Sequence, residues 1–263
     1  NNVIVRDLSA MDIQIKDKGR NPASITLFQP QVDLPLRLGI VIDVSDSISS
    51  LLVFEQEAAV SFIKRILDPE KDTAFVVAFN RTPRMLQEQT SDSTLLLNAF
   101  AGLQARGGTA LYDAVIYACR QFEKENLETP SRRVLLVISD GEDNESSAKS
   151  DDAMESALAT NTIIMTLNIR GTPRIKTPWN TSFAKLAETT GGLAFPADSQ
   201  EHISKAFGEI ETSLRSQYLI AYKPSKLRFD RSFRKIEIKS QRKGIRFIHR
   251  KGYFSPGPEH ASN

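Results

Sequence analysis

"LRLGIVIDVSDSISS", Leu36 to Ser50, joins two kinds of sequence in one stretch. Apart from Arg37, the residues up to Ile42 are apolar or small and rich in Ile, Leu and Val. That is the composition of a strand buried on both faces. The run ends in Asp43, and oxygen-bearing side chains then recur at Ser45, Asp46 and Ser47. A buried strand closing on a set of oxygen donors suits an open α/β sheet, in which ligands bind beyond the carboxyl ends of the strands.

The pattern extends on both sides. Leu51, Phe54, Ala58, Phe62 and Ile66 are spaced as one helix stripe within 49–67. "TAFVVAFN" (73–80) reads as a second buried strand and the more polar "RMLQEQT" (84–90) as an edge strand. A helix in 92–103, the loop "ARGGTA" and a helix from Leu111 to about Glu125 follow. Then come the strand "RRVLLVISDG" (132–141), a polar helix in 147–160 and the strand "TIIMTLNI" (162–169). A long loop with Pro173, Pro178 and Trp179 leads to a helix ending at Thr190, with Trp179 expected to cover the core. The short strand "GGLAFPA" (191–197) and a helix marked by Ile203, Phe207, Ile210 and Leu214 close the series. Strands alternating with helices predict a doubly wound, mostly parallel sheet covered on both faces.

The two ends follow a different rule. "MDIQIKDKGRNPASITLF" (11–28) reads as a hairpin turning at Asp17–Arg20, and "QYLIAYKP", "FRKIEIKS" and "GIRFIHRKGYFS" as strands joined in antiparallel hairpins. Residues 1–34 and 218–256 are expected to form a small β-appendage on an α/β domain spanning 35–217, with 257–263 a frayed tail.

Composition sets outer bounds. The 263 residues are 40% hydrophobic and 25% charged, as in folded globular proteins. No apolar run is long enough to span a membrane, and the first residues lack the two-part signature of a signal peptide, which processing can remove. Cys119, the only cysteine, excludes an internal disulfide and a Cys-based zinc site, and its helical setting predicts a buried small hydrophobe. Residues 223–263 carry +9 against −7 for the rest. Alternating Lys and Arg along strands read as a wet face, so no nucleic-acid partner is expected.

Asp140, in "VISDGEDN", ends another buried strand, and Thr109 follows paired glycines in "GGTA". Asp43, Ser45, Ser47, Thr109 and Asp140 can therefore meet at one edge of the sheet. With no thiol or imidazole nearby, such a set suits Mg²⁺ or Mn²⁺, with Ca²⁺ a poorer fit. Asp46, Glu142 and Asp143 read as rim residues.

Asp43-x-Ser45-x-Ser47, then Thr109, then Asp140-Gly141-x-Asp143 resembles a von Willebrand factor A domain over roughly residues 36–215. In that family these five positions form the metal-ion-dependent adhesion site. The flanks "DLSAMDIQIKDKGRNPASITLF" and "QYLIAYKPS…FRKIEIKS…RKGYFSP" resemble the acidobacterial proteins related to that domain. The resemblance implies that Ser45 and Ser47 ligate the metal, with Thr109 direct or through water, and that Asp43 and Asp140 act largely through coordinated water. It further implies an open position for a partner's Asp or Glu carboxylate, a binding rather than enzymatic role, and a secreted, periplasmic or cell-surface location.

Two other readings remain at this stage. Asp43 could be the nucleophile of a metal-dependent phosphoryl-transfer hydrolase, although Ser45 stands where a second carboxylate is wanted and no general base is in evidence. Alternatively, the domain is a scaffold with a non-functional metal site. Ser45 and Ser47 could also simply cap the following helix.

Overall fold

The computed structural model describes residues 5, 7–30, 34–124, 131–170, 178–215 and 217–258. The chain opens with β1 (Ile13–Asp17) and β2 (Ser24–Pro30) and then enters β3 (Leu36–Asp43). There follow α1 (Leu52–Ile66), β4 (Thr73–Phe79), β5 (Pro83–Thr90), α2 (Ser93–Asn98) and α3 (Leu111–Gln121). The second half comprises β6 (Arg132–Ser139), α4 (Ser150–Ala159), β7 (Ile163–Asn168), α5 (Pro178–Thr190), β8 (Ala194–Pro196) and α6 (Gln200–Arg215). It closes with β9 (Tyr218–Lys223), β10 (Phe233–Ser240) and β11 (Gly252–Phe254).

Six strands form one sheet in the order β5-β4-β3-β6-β7-β8, parallel except for the antiparallel edge strand β5. Every residue of β3 and β6 except the second is buried, as a sheet covered on both faces requires. Ile40 and Ile42 pack with α1 and α6, whereas Val41, between them, faces α3 and its neighbours. Phe62 and Phe207 join α1 to α6 with ring centroids 5.0 Å apart. Gly39 lets β3 lie under Leu135 and Phe75, because a Cβ there would come within 2.4 Å of both.

The stripe on α1 differs from the sequence expectation. Ala58 and Phe62 are buried as expected, and Leu52, Glu55, Ala59 and Ile63 are buried beside them, while Leu51, Phe54 and Ile66 are half-buried against the same core. The buried face is therefore wider than the expected stripe, and the helix starts at Leu52, after a 3-10 turn at Asp46–Ile48. Pro178 and Trp179 begin α5 instead of lying in a loop. The Trp179 side chain lies outside the described residues, as do Pro173 and most of the expected tail.

The ends do come together, with a correction to their pairing. β1 pairs with β10, and β2 with β9, both antiparallel, and β11 extends β10 into a three-stranded sheet. The N-terminal hairpin is reduced to a single bridge between Asp17 and Arg20, and β9 and β10 are not partners. Each end contributes strands that only the other end completes. Ile236 and Ile238 share the inner face with Ile13 and Ile15, since residues two apart point the same way. Arg234 and Asp17 form a buried pair at 2.7 Å, and the hydroxyls of Tyr222 and Tyr253 donate to the same carboxylate. The appendage docks where the Lys251 N–H donates to the Thr189 carbonyl at 2.8 Å. Gly191 permits that approach, since a Cβ would meet the Arg250 nitrogen at 2.6 Å.

Candidate functional site

The chain runs outward from β3 through β4 to β5, then resumes at β6 on the other side of β3. The switch point therefore lies between the carboxyl ends of β3 and β6, where Asp43 and Asp140 stand. Asp43 is fully buried, although it ends its strand at the rim of the sheet. Its Oδ1 accepts the Ser45 N–H at 2.9 Å and its Oδ2 accepts the Ser139 hydroxyl at 2.7 Å. Burial pushes its carboxyl up to about 6, with a smaller push from Asp140, against the hydrogen bonds from Ser139 and Ser45.

Ser45 is also buried, and its hydroxyl lies 3.0 Å from that of half-buried Ser47. Neither serine caps α1, whose N-cap is Leu51, and Ser45 makes no side-chain cap bond to the 3-10 turn. The helix-cap reading is thus removed, and the two hydroxyls remain directed at each other.

Thr109 is brought in by backbone ties. The Asp46 N–H donates to the Gly107 carbonyl at 2.9 Å, and the Arg106 N–H to the Val44 carbonyl at 2.8 Å. Gly107 takes φ +82°, which favours glycine, and a Cβ on Gly108 would lie 2.3 Å from Glu145. On the other side, the Asn144 side-chain oxygen accepts the Thr109 N–H at 2.9 Å, while the Asn144 and Glu145 N–H groups donate to the Thr109 carbonyl. Asp143 accepts the Leu111 N–H at 2.8 Å, capping α3 from the neighbouring loop. Asp143 therefore holds the start of α3, just past Thr109, and is accounted for by its cap.

Asp140 is fully buried, with Oδ1 accepting the Glu142 N–H at 3.0 Å and Oδ2 receiving no hydrogen bond. The guanidinium of Arg170, just past β7, lies across this side of the site. Its Nη2 stands 3.3 Å from Asp140 Oδ2 and donates to the Ser47 carbonyl at 2.8 Å, and Nη1 donates to Glu142 at 3.1 Å.

The five expected residues thus stand on three segments converging at the switch point. Sequence reading missed Ser139, Arg170 and Glu55. Ser139 was visible as a polar residue inside an apolar strand, and Arg170 as a charge at the end of another. Glu55 lies three residues after Leu52 and four before Ala59, yet it is fully buried with neither carboxylate oxygen hydrogen-bonded. Burial holds its carboxyl well above the usual range, and the charges of Asp43 and Asp140 add to the effect. Among the described residues, no three His, Cys, Asp or Glu side chains group closely enough to hold one ion. Any cation here would depend on hydroxyls as well as carboxylates.

A doubly wound sheet with Asp-x-Ser-x-Ser at its switch point defines a class, and the comparisons agree with it. Residues 38–142 match the von Willebrand factor type A domain family. No curated protein matches the chain. Among solved structures, a von Willebrand factor type A protein from Catenulispora acidiphila is 13% identical at TM-score 0.59, covering 95% of this chain and 74% of its own. The conserved hypothetical protein BatB from Bacteroides thetaiotaomicron is 16% identical at TM-score 0.56, covering 69% of this chain and all of its own. The pilus adhesin SpaC from Lactobacillus rhamnosus GG is 10% identical at TM-score 0.56, covering 81% of this chain and 35% of its own. These likenesses are of fold. The match places a von Willebrand factor type A domain at residues 38–142, a domain that at this coarse level is a protein-interaction module. Among the described residues, no helix is long and apolar enough to cross a membrane.

Proposed function

We propose that this domain binds a divalent cation, Mg²⁺ or Mn²⁺, through Asp43, Ser45, Ser47, Thr109 and Asp140, and through it a carboxylate of a partner protein. The observation that carries the reading is the pairing of two buried aspartates with the facing hydroxyls of Ser45 and Ser47, 3.0 Å apart. An all-oxygen donor set, with an Asp140 oxygen that accepts no hydrogen bond and faces the Arg170 guanidinium, fits a hard cation. When bound, the cation supplies an electrophilic position for a carboxylate oxygen.

The chain's own residues set the terms. The serine hydroxyls bring lone pairs without charge, so two aspartates offset the dication and leave it attractive to a further anion. Ser139 and the Ser45 N–H fix the orientation of Asp43. Adhesion outside the cell belongs to the same proposal, supported by the fold shared with a pilus adhesin.

Water-proton relaxation with Mn²⁺ tests the reading. Enhancement is expected in the wild type, falling when a Glu-containing peptide displaces metal-bound water and disappearing in EDTA. Absence of Mn²⁺ binding, or an enhancement insensitive to carboxylate, overturns it.

A further inference from the structure

Glu55 is the anomaly of the molecule. An ionised carboxylate taken out of water is costly unless paired, and buried polar groups are nearly always hydrogen-bonded. Glu55 is fully buried in the first turns of α1, and neither of its oxygens has a hydrogen-bond partner. A helical side chain leans toward the helix N-terminus, and for α1 that is the end joined to the loop of Ser45 and Ser47. The charges of Asp43 and Asp140 act on the Glu55 carboxyl. The one guanidinium hydrogen-bonded at this site, that of Arg170, is placed on Asp140, Glu142 and the Ser47 carbonyl.

We infer that Glu55 is a positioning residue of the cation site, a buried third carboxylate that raises cation affinity from behind Asp43 and Asp140. It is not an inner ligand, since no three acidic groups stand close enough to share one ion. A cation bound at Asp43 and Asp140 favours the ionised form of Glu55, which then acts as the kind of outer-shell partner that tunes metal affinity. Repulsion that Asp43 and Asp140 exert on Glu55 is offset once a cation is bound at those two aspartates. This accounts for a buried carboxyl that has no hydrogen bond.

The inference rests on the reading that a cation binds at Asp43 and Asp140, and the experiment separates the two. Mn²⁺ affinity is measured by calorimetry, and melting temperature in EDTA and in Mn²⁺, for the wild type, Glu55→Gln and Glu55→Met. The expected result is a loss of about tenfold or more in Mn²⁺ affinity in both variants, with melting temperatures in EDTA equal to or above the wild type. A purely structural glutamate gives the opposite: Mn²⁺ affinity within about twofold of wild type in both variants and equal losses of melting temperature with and without metal. That result overturns the inference while leaving the site reading intact. Failure of the wild type itself to bind Mn²⁺ overturns both.

Discussion

The Ser139 hydroxyl donates to Asp43 Oδ2 at 2.7 Å, and both residues are fully buried at the ends of adjacent strands. The same hydroxyl accepts the Gly141 N–H at 3.0 Å, so one oxygen ties the turn after β6 to the carboxylate that ends β3. Ser139→Ala removes the donor and leaves Gly141 without its acceptor. We expect a loss of about 1–3 kcal/mol in stability by urea denaturation in EDTA. A change below a few tenths would show that the bond does not support the site.

Arg170 places a positive charge 3.3 Å from Asp140, where a dication would compete for the same carboxylate. Arg170→Gln removes that like charge, so Mn²⁺ should bind several-fold tighter, most clearly at low ionic strength. Calorimetry at two salt concentrations checks this. Weaker binding in the variant would instead make Arg170 a support of the site.

Acidity acts on Asp43 in a definite direction. Its carboxyl is raised from 3.8 to about 6, so the folded, metal-free protein holds this proton more tightly than the unfolded chain. Its contribution to metal-free stability is therefore most favourable below about pH 4 and is lost as pH rises through 6. Cation binding runs the other way, because it needs the ionised carboxylate. Mn²⁺ affinity should fall about tenfold from pH 7 to pH 5, for one competing proton. A flat affinity profile would exclude Asp43 as the controlling group.

In the appendage, Arg234 lies 2.7 Å from Asp17, the two side chains being 5% and 2% exposed. Arg234→Met strands the Asp17 charge among Tyr222 and Tyr253, at a cost of about 3–5 kcal/mol. Denaturant unfolding monitored at the tyrosines reads this. A cost under about 1 kcal/mol would mean that the pair does not hold the two ends together.

Cys119 is buried in α3, and burial pushes its thiol up to about 12 despite hydrogen bonds from Thr160, Ser156 and Thr162. Iodoacetamide at pH 8 should leave it unmodified in the native protein and alkylate it in urea. Native modification would show local opening of α3.

The sequence by itself determined the sheet and the site's chemical type. Apolar runs such as "GIVID" and "VLLVIS" can only be strands covered on both faces, and Asp43 and Asp140 follow them directly. The alternation in "RKIEIKS" likewise puts Ile236 and Ile238 on one face, which the structure shows to be the inner one. Periodicity is local, and it names which face is buried without naming what covers it. Tertiary structure alone decided that β1 pairs with β10 instead of β2, and that Arg170 reaches the Ser47 carbonyl across 123 residues. It also decided that Asp43 lies out of solvent. The width of the buried face of α1, which takes in Glu55, was likewise decided by packing, because helical spacing marks the apolar stripe and not how far burial extends around it. Strand partners, burial depth and long-range charge contacts depend on how distant segments pack, and no short stretch of chain carries that information.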